Sequence, residues 1–427
     1  MRVKLAEITD EDGSAATGLP VGRGRRRSAS RSPWTVAGTV LLIYVAWTLA
    51  TFQTGLTATD FALVGVKFAH QSTRSSVITF APNFRYGPGN GYDGQFCYYI
   101  ALDPVNARYY IDTPAYRYER ILYPLVARAL ALGQPSLVPY TLILVNLLAI
   151  SGCVLLLAFW LRRRKISPWL AVVYGLYSGV FVGFERDLTE PLAYFFVMLA
   201  VYLYDFRRSV IWAGICFGLA TLARETALIF ALPYIAAVLL HSRSVDRAGS
   251  SRFWRSAVAN WRPAALMLGL AAGPFLIYKL FLTLWIGGTG VPGEVMPRLI
   301  PFSGLIVLLP WRSDEIISLE AVAIPGVICL ALSLWAILKR RATIAVWALL
   351  LNVVVLVLML NASSYYDSGA ALRVTIGVVL AALLSIPAFD KPGKRSRRWL
   401  AFCAPVWVSY TVLVDIAATT FRLITHL

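Results

Sequence analysis

Apolar runs of about 20 residues recur along the whole chain, separated by short connections of alternating charge. A run of that length is what a helix needs to cross the hydrocarbon of a bilayer, where every backbone amide must find a partner within its own segment. Eleven stretches fit or nearly fit: 33–54, 138–160, 168–184, 189–205, 209–222, 225–241, 263–286, 319–338, 343–361, 369–388 and 399–421. With 58% hydrophobic and only 15% charged residues and a mean hydropathy of +0.65, the chain lies far from soluble domains, which are about a quarter charged. The expectation is an all-α polytopic transmembrane bundle of about eleven spans.

A net charge of +18 would suit a nucleic-acid partner on a soluble chain. Here Lys and Arg sit in short clusters between apolar runs, a pattern that sets topology and meets lipid headgroups, so membrane lipids and no nucleic acid are expected as partners. Residues 1–32, with Arg23, Arg25, Arg26, Arg27 and Arg31, read as a disordered basic cytoplasmic tail, and 33–427 as a single transmembrane domain. With that tail inside, Arg162 to Lys165, Arg207-Arg208, the 243–262 loop, Lys339 to Arg341 and Lys391 to Arg398 all fall inside. The alternate connections, Glu185 to Glu190, Arg224-Glu225, Arg312 to Glu315 and Asn361 to Arg373, carry mixed or acidic residues and fall outside. The expected location is the plasma (inner) membrane, multi-pass, with the chemistry on the extracytoplasmic side. Cys97, Cys153, Cys216, Cys329 and Cys403 show no disulfide framework or metal spacing, and no metal or cofactor is expected.

The first outer connection, 55–137, is too long for an incidental loop. Its turn-rich and Tyr-rich segments predict short interfacial helices. Within it, Gly91-Tyr92-Asp93-Gly94-Gln95-Phe96-Cys97-Tyr98-Tyr99 is the densest cluster. Asp93 between glycines fits a helix-capping aspartate, and it also fits a carboxylate presented to a ligand. Tyr116-Arg117-Tyr118-Glu119-Arg120 fits an interfacial aromatic and basic belt as well as a site. Glu185, Arg186, Asp187 and Glu190 fit a solvated turn with internal pairs as well as an acidic second loop. Arg224 and Glu225 differ, because they interrupt an apolar stretch with almost no loop around them, and charge near hydrocarbon marks a functional site by default. Arg373 is a weaker case of the same kind. All would lie at one membrane face, where a carboxylate can act as base and arginines can fork onto a phosphate.

These residues resemble the C-type (GT-C) superfamily of polytopic glycosyltransferases that use polyprenyl-phosphate-linked sugars, related to the polyprenyl-phosphate mannosyltransferase-like families. The likeness lies in Tyr92-Asp93-Gly94, Tyr98-Tyr99-Ile100-Ala101, Arg120-Ile121-Leu122-Tyr123-Pro124-Leu125 and the helix junction Leu222-Ala223-Arg224-Glu225. It reaches from about residue 36 to 240. It implies Asp93 as the catalytic base and Arg224 near the lipid phosphate, with Glu185 and Asp187 in the place of a second acidic loop. Tyr92, Gln95, Tyr99, Glu119, Arg120, Arg186, Glu225 and Arg373 complete the expected substrate-binding set. The implied partners are a polyprenyl-phosphate-sugar donor and a glycan or lipid-linked acceptor. The chain departs from many members in its lone first-loop acid, without an Asp-x-Asp or Asp-Glu pair. A carrier or flippase for a lipid-linked or anionic substrate is the competing reading, and a scaffold subunit of an envelope-assembly complex a third.

Overall fold

The computed structural model describes residues 32–69, 74–79, 84–87, 89–240, 250–287, 296–390 and 398–416. The predicted basic tail, apart from Ser32, and most of the 391–398 cluster lie outside them. Among the described residues the chain is helical, without a strand. The elements that position the site are α1 (Pro33–Gln53), α2 (Gly94–Leu102), α3 (Leu122–Leu130), α4 (Val138–Arg163), α5 (Ala171–Gly175) and α6 (Ser178–Glu185). They continue with α7 (Glu190–Arg207), α8 (Val210–Ala223), α9 (Ala227–Leu239), α10 (Ser250–Ile286), α11 (Ser313–Leu338) and α12 (Ile344–Leu358). The last are α13 (Ser368–Val374), α14 (Ile376–Phe389) and α15 (Arg398–Tyr410).

Each of the eleven apolar stretches holds helix, but they are not alike. Among the described residues four helices are long and apolar enough to cross a membrane, in α1, Pro135–Arg163, Asn260–Ile286 and Ser313–Leu338, and the α13–α14 pair adds a fifth if its 42° bend is one span. The shorter helices α8, α9 and α12 are as apolar but less than spanning length. The 168–184 stretch, predicted as one span, is broken between α5 and α6, where Tyr177 is extended at φ −62, ψ 128.

Breaks inside apolar surroundings strip carbonyls of their helical partners, and these must be satisfied by side chains. Tyr44 of α1 donates to the Gly175 carbonyl at 2.8 Å. Tyr177 donates to the Leu372 carbonyl at 2.9 Å, and its oxygen lies 2.8 Å from Thr375 Oγ1, so the α5–α6 break and the α13–α14 bend are tied to each other.

Two cores result. The larger is the bundle, with buried Tyr44, Phe181, Tyr194, Met198, Phe217, Leu349 and Leu380. The second belongs to the first connection: Phe96, Tyr99, Ile100, Tyr110, Tyr118 and Tyr123 pack with Leu142 of α4 and Leu282 of α10. Residues 94–130 are therefore clamped between the start of α4 and the end of α10.

Antiparallel succession then sorts charge to the two ends. α7 starts at Glu190 and ends at Arg207, about 27 Å away over its 18 residues. α8 returns to Arg224-Glu225, so Glu190, Arg224 and Glu225 share an end, while Arg207-Arg208 lie at the other.

Candidate active site

The site is built on helix ends. Glu190 lies in the first turn of α7 and Arg224 follows the last residue of α8, so each charge complements its helix dipole. Arg224 Nη1 meets Glu190 Oε1 at 2.5 Å, and Glu190 is 1% exposed. Arg373, in the last turn of α13, reaches the same Glu190 oxygen at 3.4 Å and Asp93 Oδ2 at 2.5 Å. Arg117 closes the other side of Asp93 at 2.8 Å, rests on the Phe96 ring and is held by Asp112 at 2.8 Å.

Asp93 precedes α2 but its side chain makes no capping bond, so the helix-capping alternative falls. The two glycines near it fix how the chain enters α2. Gly91 has φ +66, and a Cβ there would sit 2.3 Å from the Leu63 carbonyl oxygen. At Gly94 a Cβ would sit 1.9 Å from the Arg186 carbonyl oxygen, so only glycine lets α2 start against the α6–α7 loop. Tyr92 donates to Asp367 at 2.9 Å and lies beneath the Arg373 guanidinium.

Two further pairs flank this chain of charges. Arg120 forks onto both oxygens of Glu225, at 3.2 and 3.0 Å, and Lys279 of α10 pairs with Glu119. Burial raises the carboxyl of Asp93, but the guanidiniums of Arg373, Arg117 and Arg120 outweigh it and hold the group well below the usual carboxylate range. Glu225 follows the same pattern, with burial outweighed by Arg120 and Arg224, and is held down at about 2. Glu119 moves the opposite way, pushed up by burial despite Lys279.

The pairs face a cavity of about 590 Å³, within the range of about 300–1,000 Å³ usual for ligand clefts. One wall carries Asp93, Arg117, Glu119, Arg224, Glu225 and Arg373. The rest of the lining is mixed: Val355, Leu356, Met359 and Leu360 at and just past the end of α12 form an apolar wall with Pro297, and Thr113, Thr226, Asn361, Ser363, Ser364 and Asp367 add polar groups. Behind the charged wall a pocket of about 20 Å³ lies between Asp93, Cys97, Arg120, Glu190, Arg224 and Arg373, room for about one water. Among the described residues no three His, Cys, Asp or Glu side chains stand close enough to share a metal ion.

Of the predicted residues, Tyr92, Asp93, Glu119, Arg120, Arg224, Glu225 and Arg373 therefore converge. Five others are placed elsewhere. Gln95 is spent on backbone, accepting from Gly65 N and donating to the Asn90 carbonyl. Tyr99 is fully buried against Tyr98 and Tyr110. Glu185 and Arg186 pair with each other at 3.3 Å, away from the cavity. Asp187 turns to Tyr123 at 3.4 Å in a buried cluster with Asn146, and burial raises its carboxyl well above the usual range. The second acidic loop thus contributes through Glu190 alone.

Arg117, Glu190, Asp367 and Lys279 were not in the expected set. The signal for Lys279 was present: a lone lysine inside the apolar 263–286 run. Comparison of the chain with family models, with curated proteins and with solved structures finds no match. What fold and site define is a helical membrane protein whose ionic cluster borders a cavity with one apolar wall.

Proposed function

We propose that this chain is a GT-C-like membrane glycosyltransferase that moves a sugar from a polyprenyl-phosphate donor to a glycan or lipid-linked acceptor. The observation that carries the reading is one cavity lined both by three guanidiniums with the carboxylates Asp93, Glu119 and Glu225 and by the apolar Val355, Leu356, Met359 and Leu360. An amphiphile with an anionic head and an apolar tail matches both walls. Forked guanidiniums suit phosphate oxygens, and the apolar wall suits the first isoprene units.

In this account the donor phosphate lies against Arg224 and Arg373. An acceptor hydroxyl attacks the anomeric carbon from the Asp93 side. The new C–O bond forms as the bond to the phosphate oxygen breaks, its electron pair leaves with the phosphate, and the hydroxyl proton passes to Asp93. The arginines stabilise the charge that develops on the leaving group. The eleven-span topology belongs to the same proposal. It places the cavity on the extracytoplasmic side of the plasma membrane, opposite Arg162 to Lys165, Arg207-Arg208 and Lys339 to Arg341, which follow the positive-inside pattern.

Purified protein in liposomes should transfer labelled sugar from a polyprenyl-phosphate donor to added acceptor. Asp93→Asn should lower the rate about 10²–10⁴-fold, the usual worth of a positioned base. Movement of the lipid across the bilayer without sugar transfer would favour the carrier instead.

A further inference from the structure

Every guanidinium lining the cavity already holds a carboxylate: Arg117 has Asp93 and Asp112, Arg224 has Glu190, and Arg373 has both Asp93 and Glu190. Among the described residues an entering anion meets no spare guanidinium on this wall. It can be held only where a guanidinium shares itself or turns away from its carboxylate.

Arg373 is the one built to do so. It is 9% exposed, borders both the large cavity and the small pocket behind it, and its Nε is buried without a hydrogen-bond partner among the described residues. Its contact with Glu190, at 3.4 Å, is long. A buried N–H lacking an acceptor is costly and marks a place where an outside oxygen fits. The Arg373–Asp93 and Arg224–Glu190 contacts are equally short at 2.5 Å, and what sets Arg373 apart is that, among the described residues, Arg224 has no such buried N–H lacking an acceptor.

We propose that Arg373 is a positioning residue that exchanges Asp93 for the phosphate of the incoming lipid, and that this exchange turns Asp93 from a counter-ion into a base. The inference rests on reading the site as one for a phosphate amphiphile. While Asp93 is shared by Arg117 and Arg373, with Arg120 close by, its carboxylate is a poor proton acceptor. Once the phosphate takes Arg373, Arg117 alone remains bonded to it, and the acceptor's proton has a destination. The donor thereby binds before the acceptor hydroxyl is activated.

The full chain in nanodiscs tests this, with farnesyl phosphate as probe and farnesol as its uncharged control. Infrared difference spectra follow the Asp93 carboxylate band, identified by its loss in Asp93→Asn or its displacement in Asp93→Glu. Without ligand the band should persist on acidification to about pH 3, whereas with farnesyl phosphate it should convert to the protonated form near the ordinary value of about 4. Farnesol should change nothing. In Arg373→Lys, which lacks the forked bridge, the band should already convert near the ordinary value without ligand. Farnesyl phosphate that binds by calorimetry yet leaves the Asp93 band unmoved overturns the exchange and leaves the reading of the site standing. Farnesyl phosphate that binds no better than farnesol overturns both.

Discussion

Glu190 is the residue on which the charged wall turns, because one buried carboxylate holds both Arg224 and Arg373. Removing one partner of a buried ion pair strands the other, at a cost of about 3–5 kcal/mol. Denaturant unfolding should show losses of that order for Glu190→Gln and for Arg224→Gln, and a double variant costing clearly less than their sum. Additive losses would mean that the pair is not coupled. Glu225 gives a pH test with a definite sign. Its folded value, about 2, lies below its ordinary 4.5, so its stabilisation is complete above pH 4.5 and lost as pH falls through about 2. The stability difference between wild type and Glu225→Gln should therefore be full at pH 6 and shrink toward pH 2. A difference that grows on acidification would contradict the assigned pairing. Some of this wall was legible in the chain. Arg224 and Glu225 stood out because charge interrupts apolar sequence, and Asp93 because glycines flank it. Glu190 did not, since Glu185, Arg186, Asp187 and Glu190 look alike in a row. Only the start of α7 decides which of the four faces the arginines.

Helices show a different limit. Each apolar stretch holds helix, but hydropathy did not show where helices break, because Tyr177 lies inside an apolar run with no proline beside it to mark the break. What holds the breaks is long-range: the hydroxyl of Tyr177 reaches Leu372 and Thr375 nearly 200 positions away. Those bonds also set the angle at which α13 presents Arg373. Tyr177→Phe removes one of the two side-chain donors to the Leu372 carbonyl, the other being Thr375 Oγ1 at 3.1 Å, at about 0.5–1.5 kcal/mol. Thermal unfolding in detergent should report that loss together with weaker farnesyl phosphate binding through the displaced Arg373. Unchanged binding would separate the two breaks from the site. The first connection was legible as an unusual segment rich in short helices. That it forms a core with α4 and α10 was not, since its partners lie far along the chain.

At the scale of the molecule, apolar faces such as Leu276, Ile277, Leu280 and Leu284 of α10 remain exposed, as a lipid-bathed helix requires. The ion pairs of Asp93, Glu119, Glu190 and Glu225 gather instead at one end, beside a cavity that also carries an apolar wall. The central claim is that both walls hold one ligand. A polyprenyl phosphate bearing a diazirine in its first isoprene units, photolysed in proteoliposomes and mapped by mass spectrometry, tests this directly. Label should concentrate on residues 355–360 and on Pro297, and fall away when the phosphate is removed from the probe or when Arg224 and Arg373 are both changed to glutamine. Label spread over α1 and α10 in proportion to lipid exposure, with or without the phosphate, would contradict it.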